Sequence, residues 1–525
     1  MNKRFVAAGM AAAMAATMLP SMAFADENPT VTLLVPEYNA GKSLKNTGSE
    51  EVIQKVEEYT GINFEVKWGD NGAYDQVLGT TLMDFDNMPM ILTCTGSMNG
   101  TIVSAAEEGA FWDLTDYLND SEKFPNLSQA NKDTLKGLTV NGEIIGIPRV
   151  RELGRNGISY RQDWADKLGL GVPETIDDVY NMLYQFTYGD PDGNGVDDTY
   201  GMEMTKYTGP FDIVQTWFGC GNGWVEQDGQ LVPVHQTAEY KEALDWLKKV
   251  YDDGLMTPDW VTIDSSEWSN GCKKGEAGVY IDVMDGGRRI WDYFVNNEVA
   301  SVTNPDEYAS MNLLGVINNT TLATSGYNGY YVITKDGAQT EEDVINALTF
   351  LDKLNDYDML ILADYGLEGV SYNVNDEGLI ETIQMESSEA PQLGLNQMVA
   401  YIPGYTEDKP VALTERDIAL NECYEQRTRP VAVTNPALGY LATSSTYSKY
   451  GSDLDNILSE ARTQYICGVI DEQGLQDAWD DWAAKGGDDL IAEINEMYAA
   501  DQEAAGTDSE ADTEASTEEA SSQAE

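Results

Sequence analysis

The sequence predicts an α/β protein built as two or more lobes. Apolar runs of strand length alternate with helically spaced apolar residues along most of the 525-residue chain, as expected for sheets covered by helices. Once a leader is removed, about 500 residues remain, more than the roughly 250–300 that one hydrophobic core organises. With 42% hydrophobic residues and eleven tryptophans, the chain has enough apolar surface for a large folded core.

The N-terminus reads as a secretion signal. Lys3 and Arg4 precede an apolar run from Phe5 to Leu19, then Pro20 and the small-residue site Ala23-Phe24-Ala25. Residues 1–25 would be removed and the mature chain would begin at Asp26. The run is shorter than the roughly 20 residues that span a bilayer, and no later stretch approaches that length. VTLLVPEY (31–38), a helix with Val52, Ile53, Val56 and Tyr59 on one face, and INFEVKW (62–68) form a βαβ opening. Thr175 and Asp178 make a capping box ahead of Val179, Met182, Leu183 and Phe186. From Thr237, Tyr240, Leu244, Leu247 and Tyr251 recur at helical spacing until Gly254 stops the helix. The strand GYYVIT (329–334) leads to a helix capped by Thr340 and Asp343, with Val344, Leu348 and Leu351 inward. From about Asp501 the chain alternates small and acidic residues and cannot bury enough surface to order itself. Residues 501–525 are therefore expected to be a disordered acidic tail, read as a solvating segment in preference to a spacer.

A formal charge of −59 argues against nucleic acid or an anionic membrane surface as partner, since either would be repelled. The five cysteines, Cys94, Cys220, Cys272, Cys423 and Cys467, are widely spaced and odd in number, so they form neither a metal cage nor a dense disulfide framework. Buried free thiols are preferred over a single bridge. None lies beside the leader site, so the chain is expected to be exported, at the cell surface, in the periplasm or outside the cell, without a lipid-anchoring cysteine.

The sharpest local motif is DPDGNGVDD (190–198). Asp190, Asp192, Asn194 and Asp198 stand at loop positions 1, 3, 5 and 9, Gly195 at 6, and the Val196 carbonyl at 7. Calcium needs such hard oxygens on a tight loop. Position 12 is Gly201 rather than a bidentate Glu, so a structural Ca2+ is expected here without a full EF-hand, the alternative being an Asp/Gly/Asn-rich turn with no metal. One isolated loop has no partner hand to open, which argues against a switching role.

Four stretches taken in order resemble the family 1 extracellular solute-binding proteins, the receptor subunits of sugar ABC importers, and especially their oligosaccharide-type members. They are GIPRVRELGRNGISYRQDWADKLGLGVPETIDDVYNMLYQF (146–186), DPDGNGVDDTYG (190–201), KKGEAGVYIDV (273–283), and YGLEGVSYNVNDEGLIE (365–381) together with DAWDDWAAKGGDDLIAEINEMYAA (477–500). The resemblance implies a two-lobe periplasmic-binding-protein-like (type 2) fold with an interlobe cleft. One lobe would comprise 28–148 and 318–355, the other 149–317 and 356–500. It also implies a carbohydrate ligand, importer membrane subunits as partners, a monomer, and no chemistry on the ligand. The family's similar loop binds calcium with ligands near positions 9 and 10, and here position 10 is Thr199, which puts that ligand in doubt.

For the cleft, sugar faces ask for aromatic platforms and their hydroxyls for a few polar groups. The candidates in loops that a two-lobe fold turns inward are Glu37 and Tyr38, Trp217 and Trp224, Asp282, and Tyr327 and Asn328. Any of these aromatics could instead pack a lobe core, as Trp246 is expected to do. Arg149, Arg151, Arg155 and Arg161 cluster at the crossing segment. They could clamp an acidic sugar, although pairing with nearby Asp and Glu is preferred, and with it a neutral oligosaccharide.

Enzymatic readings are thin. His235 is the sole histidine, so a multi-histidine zinc site is excluded, and a structural imidazole is preferred over a base. GCGNGW (219–224) lacks the spacing of a phosphate cradle, and among ninety acids carboxylate pairs arise by accident. A secreted glycoside hydrolase is the alternative to the binding reading, and a surface adhesin a third.

Overall fold

The computed structural model describes residues 28–39, 41–264, 267–383, 385–403 and 411–502. The leader expected at 1–25 and nearly all of the acidic tail lie outside them. Two sheets organise the chain. The first has five strands, in spatial order Asn63–Asp70, Thr30–Glu37, Ile91–Cys94, Tyr327–Ile333 and Ile147–Val150. Thr30–Glu37 pairs in parallel with both its neighbours, whereas Tyr327–Ile333 runs antiparallel to both of its own. The second has four strands, ordered Met311–Asn312, Asn156–Arg161, Ala277–Val283 and Tyr200–Met202.

The local signals carry the elements that surround these sheets. Thr175 and Thr340 both form reciprocal capping boxes, with Asp178 and Asp343, and start the helices Ile176–Tyr188 and Glu341–Lys353. Thr237 accepts from the Tyr240 N–H at the head of Ala238–Asp252, and Gly254 follows that helix at φ 69°, where a side chain would be strained. In each case the orphan N–H groups of the first turn find an acceptor, and the buried stripe then faces a sheet.

Each sheet has its own core. Val31, Leu33, Val35, Ile91, Ile147 and Tyr331 line one face of the first, against Val52, Val56 and Leu348. Ile158, Tyr160, Val279 and Ile281 serve the second, against Leu183, Phe186 and Leu244. Met359, Leu360, Leu362 and the run Met398–Ile402 pack into the first core. The expected border at 355/356 therefore differs from the packing. The Tyr357–Tyr365 helix follows Glu341–Lys353 after a short turn and shares its apolar neighbours, so the chain cannot leave the first lobe there. The five cysteines are free thiols, and all but Cys467 are buried. Among the described residues no helix is long and apolar enough to cross a membrane.

His235 sits in a short turn, Val234–Gln236, 3% exposed, with its ring edge-on to Trp482 at 4.4 Å. Burial disfavours the imidazolium and lowers its pKa to about 4. The unfolded chain, titrating near 6.5, binds the proton first, so the contribution of His235 is complete above that pH and is lost as pH falls towards 4. We expect this to cost on the order of 3 kcal/mol between pH 7 and pH 4. Melting midpoints at the two pH values should therefore diverge less in His235→Phe than in the parent; equal acid sensitivity in the two proteins would contradict the assignment.

Candidate functional site

The strand directions bring two sheet edges together. In the first sheet Glu37, Asp70 and Val150 are carboxyl-terminal strand ends, and Tyr327, opposite Val150, begins the antiparallel strand at that same edge. In the second, Val283 ends its strand opposite Asn156, the start of the neighbouring one. Residues 151–155 join Val150 to Asn156, six Cα steps that reach at most about 22 Å when fully extended. The two edges must therefore face one another across a groove, where ligands of open α/β sheets gather.

Crossing segments close the back of this groove. The Arg151 N–H donates to the Gly326 carbonyl (2.9 Å), and the Thr324 N–H to that of Leu153 (2.9 Å). Thr321–Leu322 pairs in parallel with Ala432–Val433. The Asn222 amide ties this ladder down by donating to the Ala323 and Val433 carbonyls at 3.1 and 2.8 Å. Glu152, 6% exposed, accepts a bidentate pair of bonds from Arg429 Nε (3.0 Å) and Nη2 (2.6 Å). A Cβ on Gly154 would lie 2.4 Å from the Arg429 nitrogen, so only glycine admits this approach.

On the first-lobe edge, Glu37 Oε1 accepts from the Asn39 N–H (2.8 Å) and Ser43 Oγ (2.7 Å), while Oε2 is buried without a partner. Tyr38 beside it is 49% exposed. Arg149 is buried, and its Nη2 donates to Gln397 Oε1 (3.0 Å). Its Nε, like the Thr93 hydroxyl, has no partner. Asn328 is exposed, next to Gly329 at φ 82°. On the facing edge Asp282 accepts from Trp268 Nε1 (2.6 Å) and, at longer range, from the Tyr280 and Tyr207 hydroxyls. Burial raises the Asp282 pKa above the usual carboxylate value, a shift that the Trp268 bond opposes. Tyr207 is 41% exposed and stands edge-on to Trp268 at 5.5 Å. Arg155 and Asp285 pair at 2.8 and 2.9 Å beside them.

Three of the expected cleft aromatics are corrected. Trp217 is 2% exposed within the second core, against Trp246, because the Gly209–Trp217 helix turns its last residue inward. Trp224 starts a hairpin, Trp224–Gln227 with Gln230–Pro233, and packs in a separate cluster with Leu231 and Trp482. Tyr327 is buried edge-on to Tyr330, leaving Asn328 as the exposed member of that pair. The sequence reading missed Tyr207, Trp268 and the Glu152–Arg429 pair. The aromatic three residues beyond the short strand-like stretch GMEM (201–204) was the available signal for Tyr207. Of the clustered arginines, Arg155 and Arg161 pair with Asp285 and Asp163, as preferred.

In the 190–198 loop, glycines 193 and 195 and Asp190 adopt positive φ. The Asp192 and Asp198 carboxylates converge on the Asn194 amide, which donates to them at 2.7 and 3.1 Å. Asp190 Oδ1 accepts from the Gly195 N–H (3.1 Å), a bond that holds its pKa below the ordinary value. The Thr199 hydroxyl donates to the Phe186 carbonyl (2.7 Å) and is thereby committed elsewhere. Among the described residues no three His, Cys, Asp or Glu side chains are gathered closely enough to hold a metal. A cation here would draw instead on Asn194 Oδ1 and the Val196 carbonyl together with the acids, an all-oxygen set suited to calcium.

A model of the bacterial extracellular solute-binding protein family matches residues 41–358. Lipoprotein LipO of Bacillus subtilis is 36% identical over 479 residues, 89% of this chain and 91% of that protein. The polygalacturonan/rhamnogalacturonan-binding protein YtcQ of the same organism is 28% identical over 86% of this chain and 88% of its own length. Among solved structures, an EF-hand mutant of the Streptococcus pneumoniae ABC-transporter substrate-binding protein FusA, in complex with fructo-nystose, superposes with a TM-score of 0.62 at 18% identity. It covers 90% of this chain and 99% of that one. The similarity to LipO runs against the expectation of an exported chain without a lipid-anchoring cysteine: that relative, alike over nearly its whole length, is named a lipoprotein. The expectation rested on the leader region, which lies outside the described residues.

Removing one partner of a buried ion pair strands the other. With Arg429 43% exposed, water recovers part of that loss. Glu152→Ala should therefore lower stability by about 1–3 kcal/mol, read as a shift in the urea midpoint; an unchanged midpoint would show that the pair does not secure the crossing segments.

Proposed function

The chain belongs to the bacterial extracellular solute-binding protein family, and on that premise we propose that it captures an oligosaccharide between its lobes and presents it, unaltered, to the membrane subunits of an ABC importer. The observation that carries the reading is the facing pair of sheet edges. One presents the exposed Tyr38 and Asn328 beside Glu37, and the other an exposed tyrosine held against the Trp268–Asp282 pair. A sugar supplies both hydroxyls for the first and apolar C–H faces for the second. Relatives named for polygalacturonan and fructo-nystose binding support this class of ligand.

Closure is the mechanism. A ligand that touches both edges makes more contacts when they approach, so it stabilises the closed state by that difference and the importer reads the closed surface. The crossing ladder and the Glu152–Arg429 pair lie where such a rotation is absorbed. The family, YtcQ and FusA are all named for binding, which supports capture and release without turnover. Asp190, Asp192, Asn194, Val196 and Asp198 would hold a structural Ca2+, which would fix the loop beside the Ile176–Tyr188 helix.

Screening neutral and acidic oligosaccharides by thermal shift should find one that stabilises the protein by about 2.7 kcal/mol at a hundred times its Kd, and chromatography should recover that sugar intact. Cleaved sugar would favour the hydrolase alternative. Tyr38→Ala and Trp268→Ala should each weaken binding about tenfold or more, the loss expected for a central aromatic contact. For the metal, chelation should lower the melting midpoint and added calcium restore it. Asp190→Ala should abolish that response, and a parent protein indifferent to chelator would refute the site.

A further inference from the structure

Behind the Tyr207–Trp268 ring pair lies a buried acid. Glu203, 4% exposed, follows the strand Tyr200–Met202, and its N–H continues the pairing by donating to the Val279 carbonyl (3.1 Å). That strand runs parallel to Ala277–Val283, so Glu203 stands at the same carboxyl-terminal edge as Asp282. Tyr207 follows on the same segment, four residues later.

The Glu203 carboxylate reaches across to the segment that carries Trp268. The helix Asn270–Lys274 opens two residues after Trp268, and its first N–H groups need acceptors. The residue just ahead of a helix usually serves the second or third of them, but the Ser269 side chain makes no such bond. Glu203 serves both: Oε1 accepts from the Gly271 N–H (2.6 Å) and Oε2 from that of Cys272 (3.1 Å). A Cβ on Gly271 would lie 2.9 Å from Oε1, so the glycine admits this close approach. One carboxylate thus ties the segment leading to Tyr207 to the start of the helix that follows Trp268. The rings stand edge-on 5.5 Å apart, and Trp268 is held further by its bond to Asp282.

Both of these bonds need the ionised acid. A carboxylate accepts on two oxygens, whereas protonation turns one of them into a donor, whose hydrogen would face an N–H. Burial pushes the Glu203 carboxyl up to about 7, against the hydrogen bonds that favour its charge. Two titratable neighbours bear on it: the Cys272 thiol, which bonds to it, and the Glu276 carboxylate, which raises it further. Burial keeps that thiol protonated, while Arg161 and Lys273 act on it in the opposite sense.

We propose that Glu203 is a positioning residue for ligand capture: ionised, it fixes the Trp268 segment against the Tyr207 segment, and on acidification it lets go, so that sugar affinity falls as pH falls. The link to affinity rests on the reading of those two rings as a sugar platform. The clamp rests on the two bonds alone.

Incorporating 5-fluorotryptophan into the full-length protein, with the Trp268 line identified by its loss in Trp268→Phe, reads the clamp without a ligand. Between pH 8.5 and pH 5.5 this fluorine line should shift with a midpoint near 7. Glu203→Gln, whose single amide oxygen serves only one N–H, should abolish that step and leave the line near the parent's acid position. Parent-like positions of the other tryptophan lines check that the variant folds. Asp282 is common to both proteins, so the difference between them isolates Glu203. Calorimetry with kestose and fructo-nystose, neutral sugars with no group to titrate in this range, should show affinity lower at pH 6 than at pH 8 by about threefold or more in the parent, the scale of one lost hydrogen bond. The change should be smaller in Glu203→Gln. A Trp268 line that stays flat with pH, or that titrates alike in parent and variant, overturns the proposal, as does an affinity that changes equally in both. A line that follows Glu203 while neither sugar binds supports the clamp and counts against the sugar reading instead.

Discussion

Chain continuity over five residues is the constraint on which the rest of the structure depends. Residues 151–155 leave the first sheet at Val150 and enter the second at Asn156, too short a link to separate the two edges. It brings the strand end that carries Glu37 and Tyr38 and the one that carries Asp282 to the same side of the link. The later crossing at 313–326 and the short strand Ala432–Val433 reinforce it by backbone pairing, which holds direction well but yields to small rotations. A buried carboxylate at Glu152 then fixes where the third segment sits, because leaving that charge unpaired in a dry environment is costly.

The parts of the fold that were legible in the sequence are those set by short-range physics. Capping boxes at Thr175 and Thr340 and the stop at Gly254 need only residues three or four apart, and the parallel opening from Thr30 to Asp70 needs one helix of connection. The lobe border near 355 was not legible, because the Tyr357–Tyr365 helix carries apolar residues nearly all round and nothing in its pattern says which core receives it. The same limit governed the site. Glu37, Tyr38 and Asp282 follow strands whose ends could be read, whereas Trp217 and Tyr327 have the same composition and local setting and are core. Aromatic residues serve both purposes, and only tertiary packing separates them. Trp268 was invisible for a related reason: its role comes from a bond to Asp282, fourteen residues later, across a turn that no local motif announces.

Electrostatics explains how so acidic a chain stays compact. Its few basic side chains are placed with economy. Arg155, Arg161, Arg429 and Arg462 each neutralise a carboxylate in a half-buried or buried setting, where an unpaired charge would be least tolerable. Most remaining acids face water, where mutual repulsion is screened within about 8–10 Å at physiological salt. The surface charge thus stabilises little, and it repels other polyanions.

The antiparallel strand Tyr327–Ile333 sits between two strands that run the other way, and it meets Ile91–Cys94 only after about 240 intervening residues. Loop closure of that length is slow, and its entropic cost must be met before the pairing gains anything. The first sheet consequently keeps an open seam while all four strands of the second sheet are being made, and a chain arrested anywhere before residue 327 presents raw strand edges to its neighbours. The order in which this molecule can mature is thereby written into its threading: every strand of the second sheet is made before the first sheet receives Tyr327–Ile333, and both cores then wait for helices made later still.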